Sequence, residues 1–385
     1  MAQLANSSFF MSAFRAGERS VIFYRLLQGK TMGNISDVVF LAILRPEIGR
    51  LKSKKRVKSK DAIMSIIDLS CSTAFKLRPI PPYDFSLTTH KPAGWSLLTP
   101  FEKFEGDTLW TGMRLDSGEM FGLKLRSEGT VDKPEIICTL FSRKELNVQK
   151  RRELSEVVAW MLGTNEDIRE FYALAEHDPL VKALVEDLYG MRRTKQPDIF
   201  PRLILALTLQ MAPIKRSDQM MNLLIREYGE KIRFDGKETS YGPSPERIAK
   251  ADVRELEERC KLGYRAKTLK GIAQAICKVF PTLQELEKMS PAEAKAKLME
   301  LKGIGEYSAD IVSPHHTEFA LDVWSAKIFN QLLFGEEAES PRSIIPKLKK
   351  IAEDRWGKWR GYVFTYVLND LNNLSRRFKL NLTES

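Results

Sequence analysis

Two glycines one residue apart, Gly303 and Gly305, stand in "LKGIGEYSADIV" between two helix-like runs. Seventeen residues after Gly305 comes Asp322, a single carboxylate in the apolar stretch "FALDVWSAKIF". A glycine turn leading into a helix exposes backbone amides, and such amides grip anions, phosphate above all. A carboxylate held beside a bound anion can stabilise a developing positive charge or activate water. Each feature also has an ordinary reading. Lys302-Gly303-Ile304-Gly305 could be a plain turn between helices, and Asp322 an N-cap for "VWSAKIFNQLLFG". Their occurrence within one short stretch is what suggests a site.

The elements that must hold this stretch can be read around it. "SPAEAKAKLMEL" opens on Ser290 and Pro291, a cap followed by a first-turn proline, and a second helix starts near Glu306. The spacing predicts a helix-hairpin-helix over about 291–313, with Ile304 plugged between the helices. Upstream, from residue 146 to 385, about ten helical patterns with short connections predict a compact helical body. Before them, "TLWTGMRL", "MFGLKLRS" and "EIICTLFS" alternate as strands, with Asp116-Ser117-Gly118 as a hairpin turn. The expected fold is α+β but mainly α: a small antiparallel sheet domain over 76–145, then a two-part helical body over 146–385. Residues 1–75 read as an appended extension carrying the basic run "RLKSKKRVKSK", 50–60, and Met64 is a candidate start.

Composition narrows the function classes. Of 385 residues, 61 are Lys or Arg against 50 Asp or Glu, a net charge of +11 that favours polyanionic partners such as nucleic acid. No apolar run reaches the ~18 residues that cross a bilayer, and the N-terminus has no secretory pattern. Cys71, Cys138, Cys260 and Cys277 form no CxxC pair, which disfavours zinc and disulfides and suits a reduced compartment. The expected setting is cytoplasmic and nucleoid-associated in a prokaryote or nuclear in a eukaryote, and the expected state a monomer.

Taken in order, "LGYRAKTLKGIAQAI", "LKGIGEYSADIV" and "ALDVW" resemble the helix-hairpin-helix DNA glycosylases of base excision repair. "FYALAEHDPLVKALVEDLYGMR", "FPRLILALTLQ" and "PSPERIAKA" extend the resemblance toward the alkylbase and 8-oxoguanine branch, over about residues 83–375. The resemblance implies a double-stranded DNA partner containing a damaged base, flipped out of the stack before its N-glycosidic bond is hydrolysed. It makes Asp322 the catalytic carboxylate and Lys302, Gly303, Ile304 and Gly305 the phosphate-binding hairpin. Gln210 and Met211 take the place of the intercalating wedge, and Tyr264 and Arg265 match a second element contacting DNA. Trp324 and Tyr307 are candidates for the base pocket, with Phe200 and Trp95 weaker. In lyase-competent members a lysine stands two residues after the hairpin's last glycine, and here that position is Tyr307. The iron–sulfur branch has a C-terminal four-cysteine loop, whereas this chain has no cysteine after Cys277. The implied enzyme is therefore monofunctional and cluster-free, with no cofactor beyond a monovalent cation at the hairpin. His315 and His316 are a poor metal site without further ligands. An 8-oxoguanine-type glycosylase and a catalytically silent DNA-binding protein are the alternatives.

Overall fold

The computed structural model describes residues 13–16, 19–22, 66–90, 102–315 and 317–381. The basic run, Met64, Trp95 and His316 lie outside the described residues. The chain divides into two units, Met1–Asp61 and Ala62–Ser385. In the first, strands β1 (Ala13–Ala16) and β2 (Arg19–Ile22) pair antiparallel.

The second unit begins with β3 (Ile67–Asp68) and β4 (Cys71–Leu77), then α1 (Phe85–His90), β5 (Lys103–Glu105), β6 (Thr108–Arg114), β7 (Met120–Ser127) and β8 (Ile136–Ser142). Strands β4 to β8 make a five-stranded antiparallel sheet in the order β4-β8-β7-β6-β5. The turn between β6 and β7 closes as the Asp116-Ser117-Gly118 signal requires, with the Gly118 amide donating to the Leu115 carbonyl at 2.8 Å. Helix α2 (Val148–Met161) covers one face, burying Leu154, Val158 and Met161 against Met113, Phe121, Leu123 and Cys138.

Two expectations about this region need correction. The sheet domain starts before residue 76, because β4 is registered along β8 from Cys71 to Leu77 and Leu69 is already buried. The stretch after Lys144 also contains strands: β9 (Glu230–Phe234) and β10 (Lys237–Tyr241) form a hairpin that joins β3. Its signal was available in "EKIRFDGKETSY", an Asp-Gly turn between alternating residues, and Asp235 and Gly236 both adopt positive φ there. This hairpin covers the sheet's other face through Ile232, Phe234 and Tyr241, packed with Trp110, Met120 and Phe141.

The remaining helices form two lobes with separate cores. Helices α3 (Arg169–Ala173) and α4 (Pro179–Asp187) belong to the second lobe, although they come first. The first lobe is continuous: α5 (Ile199–Leu209), α6 (Ile214–Tyr228), α7 (Pro245–Lys250), α8 (Val253–Arg259), α9 (Arg265–Ile276), α10 (Leu283–Lys288), α11 (Pro291–Met299) and α12 (Glu306–Val312). The chain then crosses back, and α13 (Val323–Phe334), α14 (Pro341–Trp356), α15 (Arg360–Asn369) and α16 (Leu371–Phe378) complete the second lobe around Phe171, Phe329, Trp356, Tyr362 and Tyr366.

Buried charge pairs tie the parts together. Arg114 donates from Nε to Asp198 at 2.7 Å and from its terminal nitrogens to the Gly242 and Pro243 carbonyls at 2.9 Å each. Asp198 in turn caps α5, accepting from the Phe200 amide at 2.8 Å. Between the lobes, Asp310 of α12 sits between Lys295 of α11 and Lys349 of α14, 2.7 Å from each. Removing either partner of such a pair leaves a buried charge uncompensated.

Candidate active site

The hairpin forms where the glycine spacing places it. Ser290 opens α11 with a reciprocal capping box to Glu293, and α12 begins after Gly305. The two glycines serve different needs. Gly303 has φ +95°, and a Cβ there would lie 2.3 Å from the Thr268 side chain, so the local fold requires glycine. Gly305 has ordinary extended φ of −96° and open space around any added Cβ. Nothing within the protein demands glycine at 305. Ile304 is buried at 3 % exposure in the first lobe's core, as expected of a plug, while Lys302 is exposed.

Beside the hairpin lies the loop that ends α5. Gln210 extends its side-chain amide back to the Gly303 carbonyl at 2.8 Å and to the Ser308 hydroxyl at 2.9 Å, linking this loop to the hairpin. Met211 follows with φ +48° and 83 % exposure. A large apolar side chain thrust into solvent from a left-handed backbone is not core. Tyr264 is likewise exposed, at 64 %.

Arg265, in contrast, is not a surface contact. It is buried at 8 % exposure, its Nε donates to the Leu207 carbonyl at 3.2 Å and a terminal nitrogen donates to the Gln210 carbonyl. The last carbonyls at the end of α5 lack intrahelical donors, and Arg265 donates to them from α9. Its guanidinium also lies 4.5 Å from the Tyr264 ring centroid. Arg265 therefore fixes the shape of the Met211 loop from behind.

Asp322 is the N-cap of α13, at the point where the chain enters the second lobe. Its Oδ1 accepts from both the amide and the hydroxyl of Ser325, each at 2.7 Å, and the Asp322 amide donates to the Ser325 hydroxyl at 2.9 Å. The other carboxylate oxygen, Oδ2, receives the Tyr307 hydroxyl at 3.4 Å. Burial, reinforced by the Asp322 charge, pushes the Tyr307 phenol well above its usual range, so it stays protonated and donates. The cap reading and the site reading of Asp322 thus coexist: one oxygen is spent on the helix and the other is presented to Tyr307. Ser325 could have been found from the Asp-x-x-Ser spacing, a capping-box pattern. Ser308 and Thr268 carry no such signal.

Trp324 is half-buried against the second lobe's core. Phe200 is fully buried inside the first lobe and is core. His315 is half-buried, and burial pulls its pKa down. Among the described residues no group of three or more His, Cys, Asp or Glu is placed to hold a metal, and no helix is long and apolar enough to cross a membrane.

Residues 204–354, from α5 into α14, match the family of HhH-GPD superfamily base excision DNA repair proteins. The chain carries an HhH-GPD domain. That domain contains the Met211 loop, the hairpin and Asp322. A DNA-3-methyladenine glycosylase of Bacillus subtilis (strain 168) is 25% identical over 181 residues, 47% of this chain, and the match spans 60% of that protein's length. Among solved structures, a 3-methyladenine DNA-glycosylase from Archaeoglobus fulgidus superposes with a TM-score of 0.65 at 21% identity, covering 80% of this chain and all (100%) of that one. A Clostridium acetobutylicum 8-oxoguanine glycosylase/lyase, solved with dsDNA containing cytosine opposite 8-oxoG, gives 0.59 at 17% identity, covering 82% and 100%. At these identities the structural likenesses establish a shared fold, sheet domain included.

Proposed function

We propose that this chain is a monofunctional DNA glycosylase that hydrolyses the N-glycosidic bond of a damaged, alkylated purine in duplex DNA. The observation that carries the reading is the pairing of Asp322 with Tyr307 at the end of an HhH-GPD hairpin. Breaking an N-glycosidic bond builds positive charge on the sugar, and a fixed carboxylate stabilises that charge and orients water. Asp322 is held for this by Ser325, so it needs no reorganisation when the charge appears.

The rest of the scheme follows the geometry. The hairpin from Lys302 to Gly305 takes a backbone phosphate, with the open side of Gly305 as the approach. Met211 enters the duplex as the base leaves, and Tyr264 lies against the DNA near the gap. Tyr307 and Trp324 line the place where the base arrives. The curated relative named for 3-methyladenine supports the choice of an alkylated purine.

A hydrolytic enzyme leaves an intact abasic site. Tyr307, protonated and lacking an amine, cannot form a Schiff base with the sugar. The test is incubation with duplexes bearing single alkylated or oxidised bases, read with and without alkali, beside borohydride trapping. Strand scission only after alkali and no trapped adduct are expected. A trapped covalent adduct would overturn the monofunctional assignment, and no excision of any lesion would leave a DNA-binding protein.

A further inference from the structure

We infer that the protein has a second anion site, independent of the glycosylase reading, in a cavity built from three arginines. The cavity, about 180 Å³, is lined by Arg192, Arg193, Arg202, Gln196, Thr365 and Asn369 among others, and no carboxylate lines it among the described residues. It draws on four parts of the fold: the segment after α4, the start of α5, α15 and, through Thr88, α1.

Two of the arginines, Arg202 and Arg192, are held by backbone carbonyls. Arg202 donates to the Ile311 and Ser313 carbonyls at 3.0 and 3.2 Å. Arg192, only 2 % exposed, donates to the Gly190, Met191 and Ile80 carbonyls at 3.2–3.4 Å, and its Nε is buried with no hydrogen-bond partner among the described residues. Carbonyls satisfy hydrogen bonds without cancelling charge, so a buried guanidinium held this way still needs an anion.

The surrounding acids lie outside the cavity. Glu166 and Glu287 both bridge to a further buried cation, Lys195, at 2.9 and 2.8 Å. The third, Glu318, is pushed up to about 7 by burial and by Asp310, so it is only partly ionised at neutral pH. These acids, with Asp167 beside Arg192, surround the four cations, but none of them lines the cavity itself. The strain registers on Arg202, drawn down to about 9 by burial and by the Arg193 charge.

A cavity with several guanidinium donors, an unpartnered Nε and side-chain amides fits a phosphate-type oxyanion, which accepts from planar forks on more than one side. Such an ion could be free phosphate or a phosphate of bound DNA. Because Arg202 also holds the carbonyls that end α12, occupancy would steady the link to Asp322.

The test is equilibrium dialysis of the full chain against radiolabelled inorganic phosphate, with melting temperature followed in phosphate and in chloride at matched ionic strength. One saturable phosphate per chain, with a melting temperature raised by phosphate beyond chloride, is expected. Arg202→Met should weaken the apparent affinity by at least about tenfold, as loss of a charge-assisted hydrogen bond does. Arg193→Gln, which keeps an amide donor and lowers the charge, should do the same if Arg202→Met does not fold. Adding undamaged duplex separates the sources: competition with phosphate assigns the site to a DNA phosphate, and simultaneous binding assigns it to the free ion. Absence of saturable binding to the wild-type chain, or binding that survives both substitutions, overturns the inference.

Discussion

Replacing Asp322 by Asn tests the proposed chemistry with the least disturbance to the fold. In the structure Oδ1 of Asp322 accepts from the Ser325 amide and hydroxyl, and Oδ2 from Tyr307. An asparagine oxygen can keep both Ser325 bonds, and its amide can donate to the Tyr307 oxygen. Asn is also among the better N-caps, so the folding cost should be a few tenths of a kcal/mol. Asp322→Ala, by comparison, loses the cap and strands the Ser325 amide, costing about 1 kcal/mol. In a unit running from Ala62 to Ser385 that is a fall of roughly 1–2 °C in melting temperature, and the Asn variant should fall by less.

The effect on rate should be far larger. Charge that stabilises only the transition state is worth roughly 10²–10⁴-fold when removed, or about 3–5 kcal/mol of barrier. DNA affinity should stay level or rise slightly, since a negative charge near phosphates has gone. The assay is single-turnover excision beside a binding titration, both on the same lesion duplex, so chemistry and binding are read separately. Excision by Asp322→Asn within threefold of wild type would refute the mechanism. Joint loss of binding and of several degrees of melting temperature would instead show that Asp322 serves as a cap alone.

Other perturbations separate fold from site. Gly305→Val should melt like wild type, because a side chain there meets open space, yet weaken binding to every duplex alike; normal salt-dependent binding by this variant would remove the hairpin assignment. Met211→Ala should leave stability within about 0.5 kcal/mol, as an 83 % exposed residue allows, and slow excision more from a stable pair than from a mismatch. Equal slowing on both substrates would argue against a wedge. Glu318, raised from 4.5 to about 7, favours the native state while protonated, a contribution complete below pH 4.5 and lost as pH rises through 7. Glu318→Gln should flatten the decline in melting temperature between pH 5 and 8, though only in part, because burial raises Asp116 and Asp370 to about 7 as well; an unchanged slope would discount Glu318.

The parts legible in sequence were those set by local chemistry. Ser290-Pro291, the glycine pair and the plug at Ile304 each answer to backbone rules that act within a few residues, and all three stand where those rules place them. Asp322 was legible for the same reason, since a cap is read from its own helix. What could not be read was which side chains meet across the fold. The resemblance pairs Arg265 with Tyr264 as a DNA contact, but only Tyr264 faces solvent; the Arg265 guanidinium, against that ring, bonds to the carbonyls closing α5. The β9–β10 hairpin carried a clear Asp-Gly signal and was masked by the helical run on either side of it.

The position of the site follows from how the two lobes share the chain. The second lobe takes helices from before and after the first, so the backbone must pass between separate cores, and after α12 it does so over residues 313–322. The end of that segment is already packed into the second lobe, whose core includes Phe319 and Leu321. Asp322 closes that segment, with its backbone fixed by α13 and one oxygen turned toward Tyr307 of α12. The carboxylate is therefore anchored to one lobe while its partner belongs to the other, and the pair measures how the lobes are set. Asp310 between Lys295 and Lys349 fixes that setting a turn further along α12. Gln210 does the same for the Met211 loop, since it is bonded to the hairpin rather than to its own helix. The hairpin, the Met211 loop and Asp322 are thus linked by side chains across three separate stretches of chain. A shift at any one of them would be felt at the others, as the proposed action on a base taken out of the duplex requires.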